Sequence, residues 1–332
     1  MSSVEIELKL SVKSDAISAA RQQLFQFSHH HSSPKHLTNI YFETPDNQLR
    51  RWDMGLRIRG FDGHYEMTIK TAGNVVGGLH QRPEFNVPLH QPELDLAQFP
   101  AHIWPEHTDL AHLQAELTEL FSTDFTREKW LLMYGQSEIE VVLDQGSVCS
   151  GNKRSGNKYS ENRPAGERIS PICEFELELI NGNVTDILSL ANQLASQNGL
   201  RLANKSKAAR GYALAHGLPH KPLPSVPDEL EWQQPLSVLL TEILAQWQEQ
   251  EEGWLAGLNE GKTGLVQVLH WVMQLTEKQA GYLSAVGRLP DLLPGLKAGL
   301  STASAEAETV CYSASWLQCK LALTQCLVDQ SQ

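Results

Sequence analysis

The chain has 332 residues, a formal net charge of −12, 41% hydrophobic residues and 20% charged residues. This composition is that of a folded protein, and the acidic balance argues against nucleic acid as a partner. The length exceeds the usual ceiling of about 250–300 residues for one hydrophobic core, so we expect two domains. The sequence has no apolar run of about 18 residues and no apolar N-terminal signal segment, so we predict that it has no membrane partner. Its five cysteines are expected to be reduced, which predicts a cytoplasmic protein.

Strands with one charged face dominate the first part of the chain. In Val4–Leu10 charged and apolar residues alternate, so Glu5, Glu7 and Lys9 share one face of a strand. The same alternation recurs in later segments and aligns Arg57 with Arg59, Glu66 with Lys70, Arg82 with Glu84, Arg127 with Lys129, Glu138 with Glu140 and Asp144, and Glu174 with Glu176 and Glu178.

A proline-rich segment divides the chain. Gly217–Pro227 contains four prolines and predicts an extended linker, which we place at residues 217–230 between domains at 1–216 and 231–332. Apolar periodicity is mostly helical after the linker. The helices predicted for the whole chain are Ser14 to about Phe27, Leu110–Phe121, Thr185–Asn198, Pro235–Leu258, Leu265–Val286 and Thr302–Val328.

The helical region is acidic. From Pro219 onward it carries 6 Lys/Arg and 13 Asp/Glu residues, a balance of −7. A surface of that charge repels polyphosphate. We therefore expect its apolar helix faces to dock on the first domain or to form a homodimer, rather than to take part in catalysis.

The charged strand faces have two interpretations. For a single strand, the solvated outer face of an antiparallel sheet explains the pattern. Over seven strands the polar faces are almost entirely ionic, which favours a closed barrel with its charges inside and helices over its apolar face. Arginines and lysines in such a lumen would hold a polyanion, and carboxylates would hold Mg²⁺ or Mn²⁺. This combination suits hydrolysis of a phosphoanhydride.

These residues resemble a known family. Glu5-Ile6-Glu7-Leu8-Lys9 is similar to the ExExK motif of the CYTH, or triphosphate tunnel metalloenzyme, superfamily. Further similar motifs follow in the family's order over residues 4–215, namely Gly55-Leu-Arg57-Ile-Arg59, Thr68-Ile-Lys70, Arg82-Pro-Glu84, Thr126-Arg127, Asp144-Gln-Gly146, Glu174-Phe-Glu176-Leu-Glu178 and Ser206-Lys207. The resemblance implies an α+β fold, in which an eight-stranded antiparallel β-barrel with flanking helices forms a triphosphate tunnel and an all-α region follows.

The resemblance also implies roles for individual residues. The implied substrate-binding cations are Lys9, Arg57, Arg59, Lys70, Arg127 and Lys207, with Lys129 as a further member. The implied metal-binding carboxylates are Glu5, Glu7, Glu174 and Glu176, and the additional lumen acids are Glu84, Glu140, Asp144 and Glu178. Because a lysine among cations has a lowered pKa, we expect one of Lys9, Lys70 and Lys207 to be catalytic by assisting the attacking water.

Longer sequence segments resemble one group within this superfamily. Gly77-Gly-Leu-His-Gln-Arg-Pro-Glu84 and Ser206-Lys-Ala-Ala-Arg-Gly-Tyr212 are similar to the bacterial inorganic triphosphatases that join a CYTH domain to a helical CHAD domain. Only about 105 residues follow the linker here, enough for a partial CHAD-like region. The leading hypothesis is a metal-dependent inorganic triphosphatase that cleaves tripolyphosphate to pyrophosphate and phosphate. A thiamine-triphosphatase, an adenylate-cyclase-like tunnel enzyme and a non-catalytic polyphosphate-binding module remain open alternatives.

Overall fold

The computed structural model describes residues 2–151, 168–217, 222–279, 289–302 and 304–330. Its strands are β1 Ser2–Val12, β2 His29–Glu43, β3 Gly55–Phe61, β4 His64–Lys70, β5 Asn74–Val76, β6 Leu79–Leu89, β7 Thr118–Tyr134, β8 Ser137–Ser150, β9 Arg168–Asn181 and β10 Leu200–Leu202. Its helices are α1 Ile17–Leu24, α2 Gln48–Arg51, α3 Leu110–Glu116, α4 Val184–Leu194, α5 Lys207–His216, α6 Leu236–Leu255, α7 Asn259–Lys278, α8 Leu289–Ser301, α9 Ala307–Cys311 and α10 Ala314–Asp329.

Eight strands form a closed antiparallel barrel. Their order around it is β1-β9-β8-β7-β2-β3-β4-β6, and β6 pairs back to β1, for example at Leu8 and Leu79. The two short strands lie outside this circuit, with β5 on β6 and β10 on the end of β1. The predicted α+β fold with an eight-stranded barrel is therefore confirmed.

The alternation in the strands separates the two faces of the barrel wall. Leu8 and Leu10 point outward and are completely buried under α4, where Ile187 is also buried. Glu7 and Lys9 lie on the other face of the same strand and line the lumen. The apolar face is thus covered by helices, as predicted, while the charged face is turned inward.

The helical region docks on the barrel. It has its own core, in which Trp247, Trp271 and Trp316 are fully buried. Helix α10 also contributes Leu317 and Leu321 to the apolar core of the barrel. The prediction that this region docks is confirmed, and the homodimer stays a prediction. Among the described residues, no helix combines the length and the hydropathy needed to span a membrane.

Several predicted helices differ from the observed ones. The helix predicted over Leu265–Val286 begins earlier, as α7 at Asn259, and residues 280–286 lie outside the described residues. The helix predicted over Thr302–Val328 is wrong as one element, because α9 ends at Cys311 and α10 begins at Ala314. The helices predicted over Leu110–Phe121 and from Ser14 are shorter, and the structure has α3 and α1 in their place. Of the predicted linker at 217–230, residues 218–221 lie outside the described residues, and 222–230 has no helix or strand.

Candidate functional site

The lumen of the barrel contains a cavity of about 340 Å³. Most of the predicted site residues line it, namely Glu5, Glu7, Lys9, Arg57, Arg59, Lys70, Glu84, Arg127, Glu140, Glu176, Glu178 and Lys207. They come from β1, β3, β4, β6, β7, β8, β9 and α5, which the chain brings together only when the barrel closes.

Strand register places three of these side chains and that of His80 side by side along the lumen wall. Glu7 on β1 is directly opposite His80 on β6 and Glu178 on β9. Glu178 is in turn directly opposite Glu140 on β8. Residues opposite each other on antiparallel strands have Cβ atoms about 4.5–5.5 Å apart, so three carboxylates and an imidazole are neighbours.

A second group of charges surrounds the ammonium of Lys207, the first residue of α5. Its Nζ lies 2.6 Å from Asp144 Oδ2, 2.6 Å from Glu174 Oε1 and 2.9 Å from Glu176 Oε1. Arg127 donates hydrogen bonds of 2.8 and 2.7 Å to both oxygens of Asp144 and one of 2.9 Å to Glu176. These carboxylates are therefore already neutralised by two basic side chains.

The other two predicted catalytic lysines are also paired with carboxylates. Lys9 Nζ lies 2.7 Å from Glu7 and 2.7 Å from Glu176. Lys70 contacts Glu5, and its Nζ lies 2.9 Å from Glu84. Both lysines therefore have acidic neighbours as well as the basic ones visible in the sequence.

The expectation of a lysine with a lowered pKa is wrong for all three lysines. Burial alone would lower the pKa of Lys9, Lys70 and Lys207, because it disfavours the charged form. The adjacent carboxylates outweigh burial and raise each pKa above its ordinary value. All three side chains are thus held as ammonium groups, which suits charge stabilisation and does not suit proton abstraction.

Two lumen arginines form no direct ion pair with any described acid. Among the described residues, neither Arg57 nor Arg59 has an ion pair within 4 Å. Arg59 donates from Nε to Asn39 Oδ1 at 3.1 Å. Burial and the neighbouring charges of Arg57 and Arg127 lower the pKa of Arg59 to about 10. Positive charge therefore accumulates here with only partial compensation, since Glu84 and Glu5 act on Arg57 from beyond ion-pair distance.

Uncompensated negative charge lies elsewhere in the same lumen. The side chain of Glu178 has no hydrogen bond or ion pair to any described residue. Burial, together with the charges of Glu140 and Glu7, raises its pKa to about 7. The pKa of Glu5 is also raised to about 7, because burial outweighs the attraction of Lys70. The lumen thus contains, among the described residues, two arginines without an ion pair and two carboxylates whose pKa is raised.

Three predicted site residues do not line the cavity, although the structure describes them all. Lys129 lies outside it, with 43% of its side chain exposed, and is paired with Glu140 at 2.5 Å. Asp144 and Glu174 are buried in the wall behind Lys207. The predicted metal set is therefore not a single cluster, since Glu174 and Glu176 group with Asp144, and the Lys9 ammonium lies between Glu176 and Glu7.

Other residues of the cavity wall were missed by sequence reasoning. Among them are His80, Arg82 and Arg50. His80 is 6% exposed, and burial lowers the pKa of its imidazole to about 4, so the ring is neutral at pH 7. Its position two residues before Arg82, in the same alternating strand, is the sequence signal that could have identified it.

Glu43 is a further missed residue, and it supports the site from outside the cavity. Its buried carboxylate accepts hydrogen bonds of 2.9 Å from the backbone N–H groups of Thr44, Leu49 and Arg50. It also accepts a 2.7 Å hydrogen bond from the hydroxyl of Tyr212. One carboxylate thus connects β2 and α2 to α5, the helix that carries Lys207.

Two groups of carboxylates could hold a metal ion. Oxygen atoms of Asp144, Glu174 and Glu176 lie within 4.8 Å of one another, but the Lys207 ammonium already lies among them. Glu178 and its opposite neighbour Glu7 offer oxygen ligands in a place where negative charge is in excess. Oxygen-rich sites of this kind suit Mg²⁺ or Mn²⁺, so the residues present fit such an ion.

The charge balance of the cavity indicates how a polyanion could enter it. Among the described residues of its wall, eight are Lys or Arg and seven are Asp or Glu. With such a near balance, an anion with several negative charges would leave the closed lumen strongly negative. Metal cations bound with the anion would remove that penalty.

Comparisons with known proteins agree with this geometry. The family model of the CYTH domain matches residues 3–212. An inorganic triphosphatase from Haemophilus influenzae is 37% identical over 211 residues, which are 63% of this chain and 54% of that protein. The chain therefore spans about half the length of this curated relative.

Solved structures with a similar barrel are more distant. A candidate adenylyl cyclase from Hippeastrum, described as having a dominant triphosphatase activity, is 16% identical with a TM-score of 0.43 and covers 63% of this chain and 95% of its own. A candidate adenylate cyclase from Bacillus halodurans is 20% identical with a TM-score of 0.40 and covers 63% of this chain and 97% of its own. Neither similarity decides the function.

Proposed function

The chain belongs to the CYTH domain family, and from that premise we propose that it is a metal-dependent inorganic triphosphatase. Its reaction would be hydrolysis of tripolyphosphate to pyrophosphate and phosphate. The observation that carries the proposal is the charge distribution of the lumen, in which, among the described residues, Arg57 and Arg59 form no ion pair with a carboxylate and Glu178 forms none with a basic side chain. A linear polyphosphate together with a divalent cation supplies both missing charges.

The basic side chains have separate tasks in this proposal. Arg57 and Arg59 offer planar guanidinium groups, whose N–H donors match two oxygens of one phosphoryl group. Lys9, Lys70 and Lys207 stay protonated and stabilise negative charge as it develops on phosphoryl oxygens. Substrate binding by Arg127 requires that it share its donors with Asp144, to which it is already bonded.

The acidic side chains would hold the metal. Glu5, Glu7 and Glu178 are the ligands that the charge distribution favours, with Glu140 and Glu84 beside them. When bound, Mg²⁺ or Mn²⁺ neutralises charge on the phosphoryl oxygens and helps to orient the chain of phosphates. Glu174 and Glu176 would then serve mainly to hold Lys207 in place.

The cellular location and the helical region are part of the proposal. All five cysteines are free thiols, and Cys311, Cys319 and Cys326 are buried in the helical region. Reduced thiols are typical of the cytoplasm, where we propose that the protein acts. The helical region is proposed to be a partial CHAD-like domain.

The test is turnover by the purified full chain. Tripolyphosphate, thiamine triphosphate and ATP would each be supplied with Mg²⁺ or Mn²⁺, and with EDTA as the metal-free control. We expect phosphate release from tripolyphosphate to exceed release from the other two at least tenfold and to disappear in EDTA. Preference for thiamine triphosphate or ATP, or tight binding of tripolyphosphate without turnover, would refute the proposed function.

A further inference from the structure

The β5–β6 hairpin forms a thin part of the tunnel wall. Only three residue pairs join its strands, and Val75 lines the tunnel cavity. On its other side is a second cavity of about 230 Å³, between the hairpin and helices α6 and α10, and Val75 lines this one too. Strand β6 is held on its other edge by seven residue pairs with β1, whereas β5 is joined to the sheet by the three pairs with β6 and has open space on both sides. Few packing contacts therefore fix the position of β5 and the turn.

Helix α10 fixes the turn of this hairpin. Thr324, which is fully buried, has its hydroxyl 2.8 Å from the carbonyl oxygen of Gly77 and 3.0 Å from that of Lys320 on its own helix, and its single proton favours the shorter contact to Gly77. A Cβ atom on Gly77 would lie 2.6 Å from that hydroxyl oxygen, and one on Gly78 would lie 2.6 Å from Leu202 Cδ2. The turn is therefore clamped between α10 and β10.

The clamped turn leads directly into functional positions. His80 and Arg82 follow it on β6, line the tunnel and lie opposite Glu7 and Glu5 on β1. Arg82 has only a distant acidic neighbour, Asp53 at 3.7 Å. The position of its guanidinium in the lumen thus depends strongly on the backbone that carries it.

We infer that Thr324 is a positioning residue, through which the helical region holds the β5–β6 hairpin in place and so sets the affinity of the tunnel for its triphosphate ligand. The inference rests on the proposed function for the identity of that ligand. It gives the docked helices a part in the site, although none of the residues proposed to bind substrate or metal lies in them.

The test compares three variants of the full chain. Thr324→Val keeps the volume and the branched side chain but removes the hydroxyl, whereas Thr324→Ser keeps the hydroxyl. Leu323→Val is the matched control, because Leu323 is the fully buried neighbour on the same helix and packs into the helical core. The melting temperatures of all variants show how far each substitution lowers the stability of the whole protein.

Two measurements decide the result. Hydrogen exchange of the backbone amides of residues 74–82, in the absence of any ligand, should be about fivefold faster in Thr324→Val than in wild type. The KM for tripolyphosphate should rise about fivefold in the same variant with kcat within twofold, the factor that one hydrogen bond of about 1 kcal/mol contributes. Thr324→Ser and Leu323→Val should resemble wild type in both measurements.

The exchange measurement separates this inference from the proposed function. If tripolyphosphate is not hydrolysed but hydrogen exchange responds as expected, the proposed activity is wrong and the inferred role of the hairpin contact is retained. The affinity for tripolyphosphate is then measured from the shift in melting temperature that it causes. Unchanged exchange in Thr324→Val, equal effects in Leu323→Val, or no rescue in Thr324→Ser would overturn the inference.

Discussion

Glu7 and Glu178 lie directly opposite each other on β1 and β9, and only Glu7 has a basic partner within ion-pair distance among the described residues. Like charges at opposite positions of an antiparallel pair destabilise a sheet. Their juxtaposition inside a closed barrel therefore costs stability until a cation joins them. This cost is the physical reason to place the metal beside these two residues.

Replacement of Glu7 by Gln tests the metal site. The change keeps the shape of the side chain and removes one carboxylate, while Lys9 keeps its partner Glu176. We expect turnover to fall by at least about 100-fold, since neutralisation by a metal supplies several kcal/mol of the barrier reduction. Mn²⁺ titration followed by calorimetry should show weaker binding, and the melting temperature should change little.

The matched control for this variant is Glu138→Gln. Glu138 is on β8, two residues before Glu140, but it does not line the cavity. Its turnover and Mn²⁺ affinity should equal those of wild type. Activity of Glu7→Gln within a factor of two of wild type at saturating Mg²⁺ would contradict the proposed role of Glu7.

Replacement of Arg59 by Met should separate stability from function. The variant removes a buried charge that neighbouring arginines repel. We expect the ligand-free melting temperature to rise by about 2–4 °C, corresponding to about 1 kcal/mol, and the KM for tripolyphosphate to rise about 10–100-fold. Arg59→Lys should recover part of the affinity, because it restores the charge without the two-pronged geometry. A lower ligand-free melting temperature in Arg59→Met would show that the charge is compensated.

Replacement of Lys207 by Ala should open a cation site. The ammonium lies among Asp144, Glu174 and Glu176, so its loss leaves two buried carboxylates and one half-buried carboxylate, that of Glu176, with only partial neutralisation. We expect a loss of about 3–5 kcal/mol in EDTA, part of which Mn²⁺ restores. Differential scanning calorimetry with EDTA and with Mn²⁺ measures both effects. In the control Lys205→Ala, which removes an exposed lysine, Mn²⁺ should stabilise no more than in wild type; equal stabilisation of the two variants would refute this expectation.

The contact between the helical region and the barrel predicts a response to acid. Glu252 on α6 lies 2.8 Å from Arg201 on β10 and 3.2 Å from Lys205. Burial alone would raise its pKa, but these two charges outweigh burial and lower it to about 2. A carboxylate with a lowered pKa stabilises the fold above its unfolded pKa of about 4.5, and the contribution is lost as the pH falls from 4.5 toward 2.

Glu252→Gln should therefore flatten the stability curve between about pH 5 and pH 2. At pH 7 we expect a loss of about 1–2 kcal/mol, because solvent partly screens the carboxylate. Urea denaturation over this pH range measures the difference. The control is Glu249→Gln on the exposed side of the same helix. A parallel curve for Glu252→Gln and wild type would show that this pair contributes nothing to docking.

The sequence allowed the strands to be predicted because each strand has one charged and one apolar face. This division is indicated by Glu5, Glu7 and Lys9 alone, and the neighbouring strands need not be known. Register is a different matter, since it depends on how distant segments pair. Nothing local shows that Glu7 faces His80 and Glu178. The same gap explains the wrong lysine pKa, because the basic neighbours stand out in the sequence and the acidic partners come from other strands.

The missed break between α9 and α10 also has a tertiary cause. Apolar periodicity continues through it, so the sequence indicates one helix. In the structure the carbonyl of Tyr312 accepts a 2.7 Å hydrogen bond from Gly199 N–H, and the N–H of Ala314 donates to Asn198 Oδ1 at 2.9 Å. These two bonds to the loop before β10 interrupt the helix, and no local propensity reveals them.

The barrel can close only late in synthesis, because its first strand pairs with a strand far along the chain. Lys9 and Glu176 pair across 167 positions of the chain, so the first strand leaves the ribosome long before its partner exists. One edge of β1 pairs with β6, but at about 5–20 residues per second the edge that pairs with β9 waits about 10–30 s with unpaired backbone groups. Its alternating charges oppose association with other nascent chains during that interval. The residues proposed to bind substrate thus also protect the growing polypeptide before there is a tunnel to line.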